Sequence, residues 1–118
     1  MSNRSLGFLA GLLWCLLSFN LSAASLEDLS YSVVGEEVHI TRCSSEASGT
    51  LDIPSTIEGK PVTRLLFHSF RDCTKLVNVH IPDSVTTIEE SAFDHCTNLT
   101  EVTIGKGLAS LGAWALNS

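Results

Sequence analysis

The apolar positions of this chain follow three different patterns. Residues 6–19, LGFLAGLLWCLLSF, form a continuous apolar run without a charge. Residues 31–42, YSVVGEEVHITR, place Tyr31-Ser32-Val33-Val34 and Val38-His39-Ile40 on either side of Gly35-Glu36-Glu37. Two β-rich stretches around a Gly-containing turn predict a β-hairpin. Further along, the apolar positions recur at a long fixed offset. Shifting Leu76–Asn98 by 23 residues onto Leu99–Ser118 pairs Leu76 with Leu99, Val79 with Val102, Ile81 with Ile104, Val85 with Leu108, Ile88 with Leu111, Ala92 with Ala115 and Phe93 with Leu116. The same shift backward puts Cys73 under Cys96, Phe70 under Phe93, Ser69 under Ala92 and Leu65 under Ile88. A repeat of this length predicts a coil that stacks on copies of itself.

Each repeat has a physical reading. The segment LxxVxI sends three apolar side chains to the inner side of a short strand and leaves the x positions outside. Pro82 ends that strand, because proline has no N–H to give to a ladder. Val85 and Ile88 turn inward again through a second short extended stretch. Ser91-Ala92-Phe93 then opens a brief turn in which Phe93 fills the interior and Cys96 closes the coil. One such coil cannot bury its apolar face alone, whereas a stack buries a continuous column.

The pattern LxxVxIPxSVTxIxxxAFxxC resembles the BspA-like, or treponemal-type, leucine-rich repeat. It departs from the common LxxLxLxxN repeat in its IP step and its AFxxC ending. Tyr31–Arg42 resembles the cap hairpin that opens such arrays. Leu51–Leu65, LDIPSTIEGKPVTRL, resembles a first coil lengthened by an xGxPV turn. The resemblance implies a mostly β fold, a short right-handed leucine-rich-repeat solenoid with an N-terminal β-hairpin cap, placed after a cleaved signal peptide. The expected organisation is a signal peptide over residues 1–24, the cap over 25–46, and about three coils over 47–118 with the last incomplete. The hairpin is expected to cover the apolar N-terminal end of the stack. At the other end, Leu111, Trp114 and Leu116 are expected to face an open coil without a charged cover. That suggests a piece of a longer array, or an end covered by a partner, and it makes self-association through the uncapped C-terminal coil a further expectation.

Arg4 before the apolar run, and Asn20–Ala24 after it, complete the layout of a secretory leader. Ser22 and Ala24 supply small residues at −3 and −1, which places cleavage between Ala24 and Ser25. The run is short for a transmembrane helix, which needs about 20 residues, so no stable span is expected after the leader is removed. The chain holds 13 acidic and 7 basic residues, one of the latter being Arg4. Without a basic cluster, nucleic acid is not an expected partner. An acidic exported chain is expected to be secreted or to sit at the cell surface and to meet a protein or glycan there.

Candidate chemistry is sparse. Cys73 and Cys96 occupy equivalent positions in adjacent coils, near enough for a disulfide. Equivalent side chains in a ladder run parallel, however, so two buried thiols is the alternative. Cys43 lies in the cap, free or buried. His68, Cys73, His95 and Cys96 lack the tight spacing of a zinc site, and the histidines fall on turn positions, so no metal or cofactor is expected. No GxSxG or comparable nucleophile motif occurs, which leaves catalytic residues at none. Gly105-Lys106-Gly107 replaces Pro82-Asp83-Ser84 and reads as a turn, not a phosphate loop. What remains is the outer side of the repeat strands, Val77, Asn78 and His80 in one coil and Thr100, Glu101 and Thr103 in the next. This strip is the candidate partner-binding face of a noncatalytic binding or adhesion module. The alternative is a structural or assembly piece without its own ligand.

Overall fold

A computed structural model describes residues 24–117. The expected leader, apart from Ala24, lies outside the described residues. After a single 3-10 turn at Leu26–Asp28, all regular structure is strand. The alternation around Gly35 produces β1 (Leu29–Val34) and β2 (Glu37–Cys43), an antiparallel hairpin. The coils follow as β3 (Gly49–Asp52), β4 (Thr56–Ile57), β5 (Lys60–Leu65), β6 (Leu76–Ile81), β7 (Thr87–Ile88), β8 (Glu101–Ile104) and β9 (Ser110–Leu111). Each coil contributes one strand to each of two sheets. The first sheet has the order β3-β6-β8, and all its pairings are parallel. The second has the order β9-β7-β5-β2-β1, with the hairpin at one end. The chain is a β-solenoid, mostly β as expected.

The hairpin differs from its expected form in two ways. Val34 pairs directly with Glu37, so the turn is Gly35-Glu36, with Gly35 at φ 62°. Glycine takes that left-handed backbone without the Cβ clash other residues meet. The hairpin also joins only the second sheet, through a parallel pairing of β2 with β5. Val38, Ile40 and Cys43 on β2 are fully buried, so this strand acts as half a coil. On the first sheet, the outer edge of β3 receives a hydrogen bond from Ala24 N–H to Thr50 O at 3.2 Å.

Hydrogen bonds between coils continue through the turns. Leu66 N–H donates to Ile40 O (3.1 Å), Glu89 to Leu65 O (2.9 Å) and Gly112 to Ile88 O (2.7 Å). Phe70 N–H donates to Ala92 O (2.8 Å) and Phe93 N–H to Ala115 O (2.9 Å). Equivalent residues therefore lie over one another. Phe70 and Phe93 stack with ring centroids 4.7 Å apart and planes 16° from parallel, and both are fully buried. The backbone repeats in the same register: His68, Ser91 and Trp114 have φ of 58°, 55° and 60°, and Asp72 and His95 both have φ 61°. Trp114 is therefore a turn residue in line with His68 and Ser91, and its 69% exposure belongs partly to that position. Leu111, aligned with buried Leu65 and Ile88, is half-exposed because it stands in the last described coil.

Two glycines bring the last coil against the one before it. A Cβ on Gly105 would lie 2.6 Å from Asp83 N, and one on Gly107 only 2.0 Å from Asp83 O. Lys106 N–H donates to Asp83 Oδ1 at 2.7 Å between them. This is the turn expected in place of Pro82-Asp83-Ser84.

Ser69 breaks the chemistry of its column. It aligns with Ala92 and Ala115, is fully buried, and its hydroxyl has no hydrogen-bond partner among the described residues. Ser69→Ala removes a buried unpaired hydroxyl and is expected to stabilise the chain by about 1 kcal/mol, a rise of roughly 4–8 °C in Tm. Phe93→Ala opens the stacked column and is expected to cost about 3–5 kcal/mol. Thermal and urea unfolding check both, and a Ser69→Ala chain less stable than its parent would contradict the assignment.

Candidate functional site

Parallel register turns the outer side of the first sheet into rows of side chains. Thr50, Asn78 and Glu101 form one row, and Asp52, His80 and Thr103 the next. Val77 and Thr100 lie beside them, joined by Thr100 N–H to Val77 O at 2.8 Å. All six residues expected from the sequence, Val77, Asn78, His80, Thr100, Glu101 and Thr103, therefore share one face. The structure adds Thr50 and Asp52. The signal for these two was the Ile53-Pro54 step, which matches Ile81-Pro82 at an offset of 28 rather than 23 because the first coil is longer.

The face has an order of its own. Asn78 is half-buried: its Nδ2 donates to Thr50 Oγ1 at 3.4 Å, and Thr100 Oγ1 donates to its Oδ1 at 3.4 Å. Its amide ties three coils together. His80 Nδ1 contacts Asp52 Oδ1 across one strand spacing, with side-chain exposures of 48% and 77%. Glu101 and Thr103 are exposed. The outward side chains of these rows hold two carboxylates, a histidine, hydroxyls and a single apolar group, Val77, with no lysine or arginine among them.

Other candidate groups separate. Cys73 and Cys96 are buried inside the coil, while His68 and His95 stand outside it. The His68 ring packs on Phe67 with centroids 3.8 Å apart, and His95 Nδ1 lies 3.0 Å from Asp94 Oδ2. The four residues do not converge. Cys43, Cys73 and Cys96 are free thiols, all buried. Cys96 Sγ donates to Phe70 O at 3.0 Å, and burial pushes its thiol up to about 12.

Exposed polar clips hold the cap and its loop to the first two coils. Tyr31 OH donates to Glu58 Oε2 (2.8 Å), Thr63 Oγ1 to Glu37 Oε1 (2.7 Å), and Lys75 Nζ to Glu46 Oε1 (2.7 Å). The Glu58 hydrogen bond raises the Tyr31 phenol. The Thr63 hydroxyl, then the His39 ring, lower Glu37, and Lys75 lowers Glu46. Among the described residues, no helix is long and apolar enough to cross a membrane.

The model of the BspA type leucine rich repeat region matches residues 48–118. Three crystal structures are similar. A leucine rich repeat protein of T. pallidum is 29% identical with a TM-score of 0.69, the match covering 76% of this chain and 42% of that one. One from Bacteroides capillosus is 26% identical with a TM-score of 0.70, covering 82% of this chain and 75% of that one. A leucine rich cell surface protein of Faecalibacterium prausnitzii is 26% identical with a TM-score of 0.64, covering 85% of this chain and 29% of that one. The chain thus spans less than half the length of two of the three. Among curated proteins, none matches.

The lowered Glu37 has a consequence for pH. Its contribution to stability is full above its unfolded pKa and fades as pH falls through the lower folded value. In Glu37→Gln, Tm is expected to decline less steeply on the acid side, below about pH 4–5. Melting curves across that range check this; parallel acid limbs in both chains would count against the Thr63–Glu37 clip.

Proposed function

This chain belongs to the BspA type leucine rich repeat family, and from that premise we propose that it is an exported, noncatalytic module that binds a protein through the β3-β6-β8 face. The observation that carries this reading is the register. It aligns Thr50, Asn78 and Glu101, and Asp52, His80 and Thr103, on one rigid sheet. Solenoids present extended faces of this kind to partners. Export is supported by the leader-like pattern of residues 1–24 and by the Faecalibacterium prausnitzii relative, described as a cell surface protein.

The chemistry of the face supports a basic protein surface as the partner. Asp52 and Glu101 favour a surface carrying lysine or arginine, and the threonines add hydroxyl hydrogen bonds. Val77, 38% exposed, is the one apolar contact in the rows, so a single copy of the face offers no aromatic anchor. Affinity is expected to be modest per module and to rise when several faces act together.

Immobilised chain titrated with a panel of extracellular matrix proteins tests this reading, with a glycan array run in parallel. Saturable protein binding is expected, weakening as salt rises. Glu101→Lys and Asp52→Lys are each expected to weaken it about tenfold without changing Tm appreciably. Binding that survives both reversals would remove the face from the site, and binding to glycans alone would replace the partner class.

A second reading, end-to-end assembly, is favoured by the last described coil. Leu111 and Leu116 are 50% and 37% exposed, and β8 and β9 each pair on one side only. A second copy could continue the ladder there. Sedimentation equilibrium would show concentration-dependent dimers that Leu111→Lys abolishes; a monomer at every concentration ends this reading.

A further inference from the structure

We propose that Cys43 and Cys73 are a disulfide-forming pair that clasps the cap hairpin to the first coil. The pairing follows from register. Cys43 N–H donates to Ser69 O at 2.7 Å, as Phe70 N–H donates to Ala92 O at 2.8 Å and Phe93 N–H to Ala115 O at 2.9 Å. Cys43 therefore occupies the phenylalanine position of the half-coil formed by β2. Cys73 and Cys96 occupy a different position, three residues later in their turns.

That offset decides which cysteines can meet. Cys96 Sγ donates to Phe70 O at 3.0 Å, and Cys73 Sγ in the same way faces Cys43 O at 3.6 Å and Ser44 O at 3.7 Å. Cys73 and Cys96 are successive members of one column, so their side chains project in parallel. Cys43 approaches Cys73 from the neighbouring column, where a short side chain replaces a benzyl ring. The Cys73 sulfur thus lies against the Cys43 residue itself, and the two cysteines are neighbours across the boundary between cap and coil. All three residues are fully buried.

A low-molecular-weight disulfide is the oxidant. One of the two cysteines, as its thiolate, attacks one of the oxidant's sulfurs, the S–S bond breaks, and one thiolate leaves and takes up a proton. The other cysteine then gives up its proton and attacks the protein sulfur of the mixed disulfide, releasing the second thiol. Two protein thiols are oxidised and one small disulfide is reduced to two thiols. Because both sulfurs are buried in the folded chain, closure belongs to folding, as the cap docks. The bond would then hold the terminal hairpin, the element of a solenoid with neighbours on only one side.

A physiological oxidant rests on the export reading; the experiment supplies its own, so the two can fail separately. The full chain carrying Cys15→Ser, so that three thiols remain, is refolded with a reduced and oxidised glutathione couple. It is then denatured, alkylated with N-ethylmaleimide and mapped by mass spectrometry. The expected product links Cys43 to Cys73, two hydrogens lighter, with Cys96 alkylated. Its Tm exceeds that of the dithiothreitol-treated chain by roughly 10 °C. The gain disappears in Cys43→Ala and persists in Cys96→Ala. A Cys73–Cys96 link, three alkylated thiols, stable glutathione adducts, or an oxidised chain that melts no higher than the reduced one would each overturn the proposal.

Discussion

Everything in this fold depends on the parallel backbone ladder that places each coil one strand spacing, about 4.8 Å, from the next. The ladder is not confined to strands. Turn amides at Phe70, Ser91 and Phe93 donate to carbonyls of the following coil in the same manner. Side chains in equivalent positions therefore share a height and a direction. Two phenyl rings meet at a centroid distance of 4.7 Å because the backbone spacing sets it. The same constraint fixes the left-handed residues. A turn that must repeat in register repeats its dihedrals too, so Ser91 and Trp114 adopt φ near +60° although neither is glycine.

Much of this was legible in the sequence because one periodicity encodes it. The offset of 23 aligned the column of Leu65, Ile88 and Leu111 and the turn positions of His68 and His95. It was weakest where the period changes. The first coil carries the antiparallel β4–β5 excursion, with Glu58 and Gly59 at φ 55° and 77°. That lengthened coil shifted Thr50 and Asp52 out of the register that located the other six residues of the face. Cys43 was illegible for a related reason. Its cap strand has no repeat to align, and only the hydrogen bond to Ser69 O places it in the phenylalanine column.

The ladder also shapes what the exposed face can do. Rows spaced by the backbone are stiff, so a partner meets preset distances between Asp52, His80 and Thr103. Preorganisation of that kind lowers the ordering cost of binding. Contacts within the rows compete with a partner, however. Asn78 already uses its amide on Thr50 and Thr100, whereas Glu101 has its carboxylate exposed. Specificity on such a face therefore lies in the residues that the stack leaves with spare hydrogen-bonding capacity, and coil stability in those it does not.

A stacked fold is weakest at its ends, where an element has a neighbour on one side only. Here the N-terminal end is held by β2 in the ladder, by buried Val38, Ile40 and Cys43, and by polar clips at Tyr31, Glu37 and Glu46. The clips are exposed, and exposed ion pairs and hydrogen bonds each contribute little, because water competes for both partners. Attachment of the cap must then come chiefly from apolar burial. A cysteine in the phenylalanine column weakens that burial, since it fills far less volume than the rings beneath it. The substitution makes physical sense if the sulfur supplies by covalent bonding what it gives up in packing. The cap would then be loosely held when reduced and firmly held when oxidised.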